Sequence, residues 1–325
     1  MSDLSIQKKT VTVGIPAYNE EENIENALLS VLRQTGPSFV LDKVIVVSDG
    51  SSDKTEEVVE KMRSLYPIIK LVADQERKGK ITRMNQMCRM NESDFLLFFD
   101  ADIVFEGTGD IEEMVKQFGD DEAVKVVASH DMPVKAETFV ERINNAGYRL
   151  WDETRLFVNN GNHIHNLHGS CSLIRREFGK TLEFPVELTT DASYLYLKAI
   201  EKDRRGFRYA HTAHVLHHSP DNLFECRLQG TRAIMGEKKH VALYFGPWVY
   251  DEFRIPTKNK VRAVAKMMLL SPFLTVLSVL LGVYVRLSPV TDEEAKKHRW
   301  KIVTSTKRSL KDAEPQYKMK SVYNH

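Results

Sequence analysis

The feature that most constrains the fold is a regular alternation of short apolar runs and helix-like segments over the first hundred residues. Four runs have the length of a β-strand and few polar residues, at residues 11–15, 44–47, 68–72 and 95–99. The apolar spacing between them predicts helices over about 24–32, 54–65 and 81–90. Strand and helix in alternation predict an α/β fold, with a parallel sheet covered by helices on both faces.

Acidic residues follow these runs at what is predicted to be one edge of the sheet. Asp49 and Asp53 follow the second run, and Asp100 and Asp102 close the fourth. The carboxyl ends of parallel strands meet at the edge where ligands bind. Helix capping explains Asp53, but it does not explain two carboxylates at the end of a very apolar strand. A hard divalent cation, held by carboxylate and phosphate oxygens, explains them better.

Composition excludes several classes of protein. Hydrophobic residues make up 42% of the 325 residues and charged residues 28%, a globular balance that excludes a disordered chain. The net charge of +1 argues against a dedicated nucleic-acid binder, which usually carries a basic excess. Three cysteines without a CxxC pair provide neither a disulfide framework nor a thiolate zinc site. The first ten residues are polar and the run that follows is too short for a signal peptide, so a cytoplasmic location is predicted.

The motifs, taken in order, resemble those of the family 2 glycosyltransferases with the GT-A fold. The matching stretches in the first half are VTVGIPAYNEEENIENALLSVLRQ at 11–34, VIVVSDGSSDKT at 44–55, RKGKITRMNQM at 77–87 and FLLFFDADI at 95–103, which carries the DxD of the family. Those in the second half are HGSCSLIRRE at 168–177, ELTTDASYLYLKAIEKDRRGFRYA at 187–210 and HHSPDNLFECRLQGTRAIMG at 217–236. A lone DxD occurs by chance, whereas this ordered set is specific.

The resemblance implies a GT-A fold, which is Rossmann-like with a mostly parallel sheet and helices on both faces. Residues 1–236 would form the catalytic domain, with a nucleotide-sugar-binding half at 1–105 and an acceptor half at 106–236. Residues 237–325 would form a C-terminal membrane-associating helical region and a tail. The fold expectation therefore combines the α/β domain with an apolar or amphipathic helical segment.

The resemblance also assigns residues to a donor site. Four residues after the first strand would border the nucleotide base and ribose: Pro16, Ala17, Tyr18 and Glu20. Asp49 would accept a hydrogen bond from the base or ribose, and Lys80 would lie near the diphosphate or the uracil, with Asn85 supporting its loop. Asp100 would approach the ribose or the metal. Asp102 would ligate a Mg²⁺ or Mn²⁺ ion that bridges the two phosphates and stabilises the departing nucleoside diphosphate.

Asp191 is the candidate general base on the acceptor side. An inverting displacement needs a carboxylate opposite the leaving group to take the proton of the acceptor hydroxyl. Relatives carry an acidic pair here, whereas this chain has Thr190 before Asp191. The alternative is that Asp191 only caps the helix that begins near residue 192, and one residue can do both.

Several histidines are further candidates. His218, or less favourably His217, matches a late histidine that completes the metal or diphosphate site in this fold, with surface loop histidines as the alternative. His163, His165 and His168 are predicted to lie in a mobile loop over the acceptor pocket. Gln229 and Arg232 resemble the Q-x-x-R-W motif of processive relatives, but Ala233 stands where the tryptophan would be, which weakens any case for a polymerising enzyme.

An uncharged apolar run of 19 residues at 267–285 approaches the roughly 20 residues that span a membrane. Lysines and arginines lie on both sides of it, so the positive-inside rule gives no orientation. Three placements stay open: a membrane span, a helix or hairpin lying on an anionic leaflet, or a buried helix of the globular body. Membrane association is favoured because so long an uncharged run is unusual in a soluble core.

The leading prediction is an inverting, metal-dependent glycosyltransferase that uses a nucleotide sugar, most simply a UDP-sugar. Its acceptor would be a glycan or a lipid-linked molecule, reached from the inner face of the cell membrane. One alternative is a polyprenyl-phosphate glycosyltransferase, whose acceptor phosphate needs little help from a general base. Another is an inactive nucleotide-sugar-binding protein, against which the joint presence of Asp49, Asp100, Asp102 and Asp191 argues.

Overall fold

The computed structural model describes residues 8–188, 190–235, 237–287 and 303–317, without the side chains of 231–235 and 237. The strands are β1 (Lys9–Ala17), β2 (Phe39–Asp49), β3 (Ile69–Asp74), β4 (Phe95–Phe99), β5 (Ile103–Phe105), β6 (Val126–Pro133), β7 (Cys171–Arg175) and β8 (Phe207–His217). The helices are α1 (Ile24–Leu32), α2 (Thr55–Leu65), α3 (Lys80–Met90), α4 (Asp110–Lys116), α5 (Phe139–Arg155), α6 (Arg176–Thr181), α7 (Asp191–Ile200), α8 (Leu223–Met235), α9 (Glu237–Phe245), α10 (Val249–Glu252), α11 (Thr257–Leu270) and α12 (Pro272–Leu287).

All eight strands form one sheet in the order β3-β2-β1-β4-β7-β6-β8-β5. The first four are mutually parallel, as the alternation of the sequence predicts. The second half is mixed, because β7 runs antiparallel to both β4 and β6, and β5 runs antiparallel to β8. Since β6 and β8 run parallel to each other and in the direction of β4, only β7 and β5 are reversed, so the expectation of a mostly parallel sheet is confirmed within a mixed α/β fold.

The centre of the sheet is buried on both faces, and β4 shows why. Every residue of its FLLFF sequence is buried. Phe95, Leu97 and Phe99 belong to one hydrophobic cluster, whereas Leu96 and Phe98 belong to a second. Successive side chains of a strand point to opposite faces, so β4 joins the cores on the two sides of the sheet. It thereby fixes the position of Asp100, which follows it directly.

The apolar run at 267–285 is not one continuous helix. Ser271 and Pro272 divide it between α11 and α12, since proline cannot continue the hydrogen-bonding of the helix before it. No helix within the described parts of the chain combines the length and the hydrophobicity that crossing a bilayer requires. Both helices pack against α5, and α12 also packs against α8.

Residues 303–317, here called the strap, return to the sheet and contact β5, β6 and β8. Leu310 is buried in a cluster with Val104, Met132 and Leu216. Backbone hydrogen bonds join the strap to the end of β6, from Gln316 N–H to Pro133 O at 2.9 Å among others. The remainder of the predicted tail, and the side chain of Arg232, lie outside the described residues. The predicted division at residue 236 stays a prediction.

Candidate active site

The predicted donor loop follows β1 at the carboxyl edge of the sheet. Pro16 and Ala17 are still paired with Val47 and Ser48 of β2, so their backbone is fixed by the sheet. Asn19 then adopts a positive φ of 52°, which turns the chain back toward α1. The guanidinium of Arg77 lies 4.0 Å from the centre of the Tyr18 ring. Arg77 is a contact at this loop to which the sequence analysis assigned no role.

Asp49 lies at the end of β2 and is almost fully buried. Its carboxylate accepts hydrogen bonds from the backbone N–H groups of Lys78 and Gly79, both at 2.8 Å, and from the Arg83 side chain at 2.7 Å. Asp49 therefore holds the turn that precedes α3. Its predicted contact with the base or ribose stays a prediction, because both of its oxygens already have partners inside the chain.

Lys80, the first residue of α3, lies where the two halves of the site meet. Its ammonium is 2.7 Å from a carboxylate oxygen of Asp100 and 3.1 Å from one of Asp191. It also donates a hydrogen bond to Gly169 O at 2.9 Å. Burial works against its charge, but the two carboxylates outweigh burial and raise the pKa of Lys80. A single cation thus joins the predicted donor-side Asp100 to the predicted base.

Asp191 is the first residue of α7, where a negative charge is favoured by the helix dipole. The loop that contains residue 169 approaches the Asp191 carboxylate so closely that only glycine fits at that position. Gly169 has a φ of +80°, and a Cβ there would lie 3.0 Å from an Asp191 oxygen. The carboxylate is therefore held between Lys80 and the backbone of this loop.

The same loop is fixed from below by a buried polar network. Ser170 donates a short hydrogen bond to the buried Asp131, and Ser170 O accepts one from Asp100 N–H at 2.8 Å. Deeper in the core, Asp152 forms an ion pair with Arg155 and accepts a hydrogen bond from the Tyr317 hydroxyl of the strap. These contacts tie the loop to β6 and the strap to α5, and such supporting contacts help to position functional side chains.

Glu20 and the strap meet at the mouth of the site. The Lys307 ammonium donates to Tyr18 O at 2.7 Å, to Asn19 O at 2.9 Å and to the Glu20 carboxylate. Burial raises the pKa of Glu20 to about 8, with Asp102 adding to the rise and Lys307 opposing it. No periodicity in the tail sequence indicated that one of its lysines reaches the donor loop.

The carboxylates at the mouth suit a divalent cation that is shared with a ligand. Burial, with Asp102 and Asp191, raises the pKa of Asp100 to about 7 although Lys80 opposes it. Asp102 makes no hydrogen bond or ion pair with any residue that the structure describes. The described residues contain no three His, Cys, Asp or Glu side chains placed to hold a metal alone. The residues present therefore fit a cation that takes its remaining ligands from the substrate.

The histidine predictions have different outcomes. His218 faces the strap, with one ring nitrogen 3.3 Å from Ser309 O and the other 3.4 Å from an Arg308 nitrogen, so its metal-binding role stays a prediction. His217 packs its ring on Tyr148. His165 packs between the rings of Trp151 and Phe253, and the mobile loop expected at 163–168 stays a prediction.

Asn85 supports a different segment from the one predicted. Its amide exchanges two hydrogen bonds with the backbone of Phe184, both at 2.8 Å. The turn at 78–80 is held by Asp49 instead. Asn85 is therefore a brace between α3 and the segment leading to α7, and it lies behind the site.

Comparison with known proteins agrees with this architecture. The model of the family described as Glycosyl transferase family 2 matches residues 12–182, more than half of the chain. Glycosyltransferase AglE of Haloferax volcanii is 34% identical over 92 residues, which are 28% of this chain and 30% of that protein. Poly-beta-1,6-N-acetyl-D-glucosamine synthase of Staphylococcus aureus is 32% identical over 96 residues, 30% of this chain and 22% of the synthase. The matches thus span less than a third of these curated relatives.

Among solved structures, mannosyltransferase PcManGT from Pyrobaculum calidifontis, in complex with GDP-Man and Mn²⁺, has a TM-score of 0.56 and 19% identity. The alignment covers 89% of this chain and 78% of that one, and at this identity it shows a shared GT-A fold. With the family match over 12–182, the chain belongs to glycosyl transferase family 2.

Proposed function

We propose that the chain transfers a sugar from a nucleotide-sugar donor to an acceptor hydroxyl, with inversion at the anomeric carbon and with Asp191 as the general base. One observation carries this proposal: the Lys80 ammonium contacts both Asp100, at the predicted donor edge, and Asp191. That Asp100 and Asp191 lie close to one ammonium supports the proposal that they act on the two sides of the same sugar. If Asp191 only capped α7, there would be no reason for it to share the Lys80 ammonium with Asp100.

The chemistry follows from that placement. The acceptor oxygen forms a bond to the anomeric carbon while the bond from that carbon to the phosphate oxygen breaks. The nucleoside diphosphate leaves with the electron pair, and Asp191 takes the hydroxyl proton. Attack from the face opposite the leaving group inverts the configuration.

Lys80 has a second part in this scheme. Without donor, its ammonium is held by Asp100, Asp191 and Gly169 O. The diphosphate of an incoming donor offers it a stronger anionic partner. Moving toward the diphosphate would release Asp191 to accept a proton, so donor binding prepares the base.

Asp102 is the residue proposed to hold a divalent cation, with Asp100 beside it and with phosphate oxygens completing the ligands. Such a cation neutralises negative charge on the departing diphosphate. Mn²⁺ in the mannosyltransferase structure supports dependence on a divalent cation. Mg²⁺ and Mn²⁺ are both candidates here.

The donor is proposed to be a UDP-sugar, with a GDP-sugar as the competitor because PcManGT was crystallised with GDP-Man. The acceptor is proposed to be a glycan or a lipid-linked molecule at the inner face of the cell membrane. A phosphate acceptor of the polyprenyl type is the second candidate. The exposed apolar residues of α11 and α12 favour a lipid-borne acceptor of either kind.

A thermal-shift panel tests the donor assignment. The protein is heated with UDP, GDP, CDP and ADP, each with and without Mn²⁺, and then with the sugar nucleotides of the base that stabilises it. We expect one base to raise the melting temperature, and to do so more strongly with Mn²⁺. Failure of every nucleotide to shift the melting temperature would contradict the proposal.

A further inference from the structure

Of the two helices into which the apolar run is divided, α12 is amphipathic in the reverse of the usual sense, whereas the buried residues of α11, Ala263 and Met267, are apolar. The buried residues of α12 are Thr275, Ser278 and Val285, two of them polar. Both hydroxyls bond to backbone carbonyls, Thr275 to Ser271 O at 2.7 Å and Ser278 to Thr275 O at 2.9 Å. Small residues thus face the protein body, as they do where helices pack within lipid.

Large apolar side chains point outward from both helices. We call them the apolar face: Val261, Val264, Met268, Leu269 and Leu270 of α11, and Phe273, Val276, Val279, Leu280, Val283, Tyr284 and Leu287 of α12. Leu269 is 88% exposed and Phe273 66%. A contiguous apolar patch of this kind on a folded chain marks an interaction surface.

The charges on these helices indicate which kind of partner contacts the apolar face. Neither helix contains a carboxylate, whereas five cations occur on them: Lys258, Lys260, Arg262, Lys266 and Arg286. Lysines and arginines beside an apolar helix face are typical of helices that lie on an anionic lipid surface. Since neither helix is long enough to span, contact in the plane of the membrane suits them.

A cavity of about 180 Å³ lies at the corner between the two helices, α5 and the strap. Met267, Ser271 and Leu274 line one side, and Arg142, Arg149 and Tyr317 line the other. Cavities of roughly 150 Å³ accept ligands the size of benzene, so there is room for a small head group. The cavity adjoins the apolar face, because Leu270 and Phe273 of that face are the chain neighbours of Ser271 and Leu274, which line the cavity.

The two arginines give the cavity its charge. Arg142 and Arg149 are two helical turns apart and lie on the same side of α5. Neither forms an ion pair with any side chain in the described ranges. Arg149 lies over the Tyr317 ring, 5.3 Å from its centre, which leaves its guanidinium edge for an anion. Paired guanidinium groups are well suited to phosphate oxygens.

We propose that the apolar face docks the enzyme on a membrane and that the cavity binds the phosphodiester of an anionic phospholipid. The inference rests on the membrane part of the proposed function and does not depend on the proposed chemistry. The acyl chains would run along the apolar face, while Arg142 and Arg149 hold the head group. Docking would thereby fix how the catalytic part is oriented to the lipid surface.

The cavity is tested with a soluble lipid. Short-chain phosphatidylglycerol, below its critical micelle concentration, should raise the melting temperature of the wild-type chain and of the control Lys258→Gln/Lys260→Gln. The lipid should not raise the melting temperature of Arg142→Gln/Arg149→Gln. The folding of this variant is checked by its melting temperature without lipid and by donor cleavage. An equal shift with inorganic phosphate would identify a free-phosphate site and overturn the lipid assignment.

The apolar face is tested by sedimentation with vesicles of phosphatidylcholine, with or without phosphatidylglycerol. We expect binding to the anionic vesicles, lost in Leu269→Ser/Phe273→Ser and weakened on the order of 30-fold in Arg142→Gln/Arg149→Gln. Equal sedimentation of all variants would overturn the proposal. So would a dimer that Leu269→Ser/Phe273→Ser converts to a monomer without any vesicle binding. Nucleoside diphosphate release from a soluble donor reports separately on the proposed function.

Discussion

Lys80 and Asp191 form an ion pair of 3.1 Å that joins the first residue of α3 to the first residue of α7. The pair links the helix that follows β3 to the helix that precedes β8. Because the same ammonium also contacts Asp100, one side chain bridges the Asp100 and Asp191 carboxylates.

Replacing Lys80 by methionine should lower kcat/KM for the donor about 100- to 1000-fold, the usual effect of removing one group that stabilises developing charge. The variant would also leave Asp100 and Asp191 without their shared cation. The matched control is Lys78→Met, because Lys78 forms only a half-exposed pair with Asp74. That control should stay within about fivefold of wild type, as a surface ion pair contributes little. Similar losses in both variants would count against a special role for Lys80.

Replacing Gly169 by alanine should displace Asp191 without removing any functional group. The new Cβ would lie 3.0 Å from a carboxylate oxygen, and the φ of +80° is unfavourable for alanine. We expect kcat to fall on the order of 100-fold and stability to fall by about 1–2 kcal/mol. Gly109→Ala is the control, since a Cβ there meets no atom within 4 Å. Full activity of Gly169→Ala would show that the base is not confined by this loop.

Because Asp152 is buried and ion-paired, the free energy of unfolding should depend on pH. Burial alone would raise its pKa, but Arg155 and His130 outweigh burial and hold the pKa of Asp152 well below its usual value. The stabilisation is present above the unfolded pKa of about 3.9 and is lost as the pH falls toward the depressed folded pKa.

Asp152→Asn should therefore lower the free energy of unfolding at pH 7 by about 3–5 kcal/mol and flatten its decline below about pH 5. Urea unfolding measured from pH 3 to pH 8 checks both effects. Asp120→Asn, at an exposed site, should leave the profile unchanged. A parallel decline in Asp152→Asn and wild type would contradict the linkage.

The first half of the fold follows from local pattern. The runs at 11–15, 44–47 and 95–99 lie within β1, β2 and β4, because a strand buried on both faces has a continuous apolar sequence. The direction of β5 and β7 could not be predicted in this way, since antiparallel pairing with β8 and β4 is decided by distant segments. The break at Pro272 follows from the sequence, since proline interrupts a helix, whereas the length of the apolar run alone favours membrane association.

In the candidate site, too, some features follow from the sequence and others do not. The placement of Asp49 and Asp100 at strand ends was predictable, because parallel strands bring their carboxyl ends together. The contact of Lys80 with Asp191 and that of Lys307 with Glu20 were not, since each joins residues far apart in the chain. Such contacts depend on the folded arrangement of the sheet and the strap, for which sequence periodicity has no signal.

Asp191 as general base is tested most directly by the kcat of Asp191→Asn in the transfer assay, with donor binding followed in parallel by thermal shift. We expect kcat to fall about 100- to 10,000-fold, while the nucleotide-induced rise in melting temperature stays as in wild type. A kcat within about tenfold of wild type would contradict Asp191 as general base and favour a phosphate acceptor, which needs little help to lose its proton.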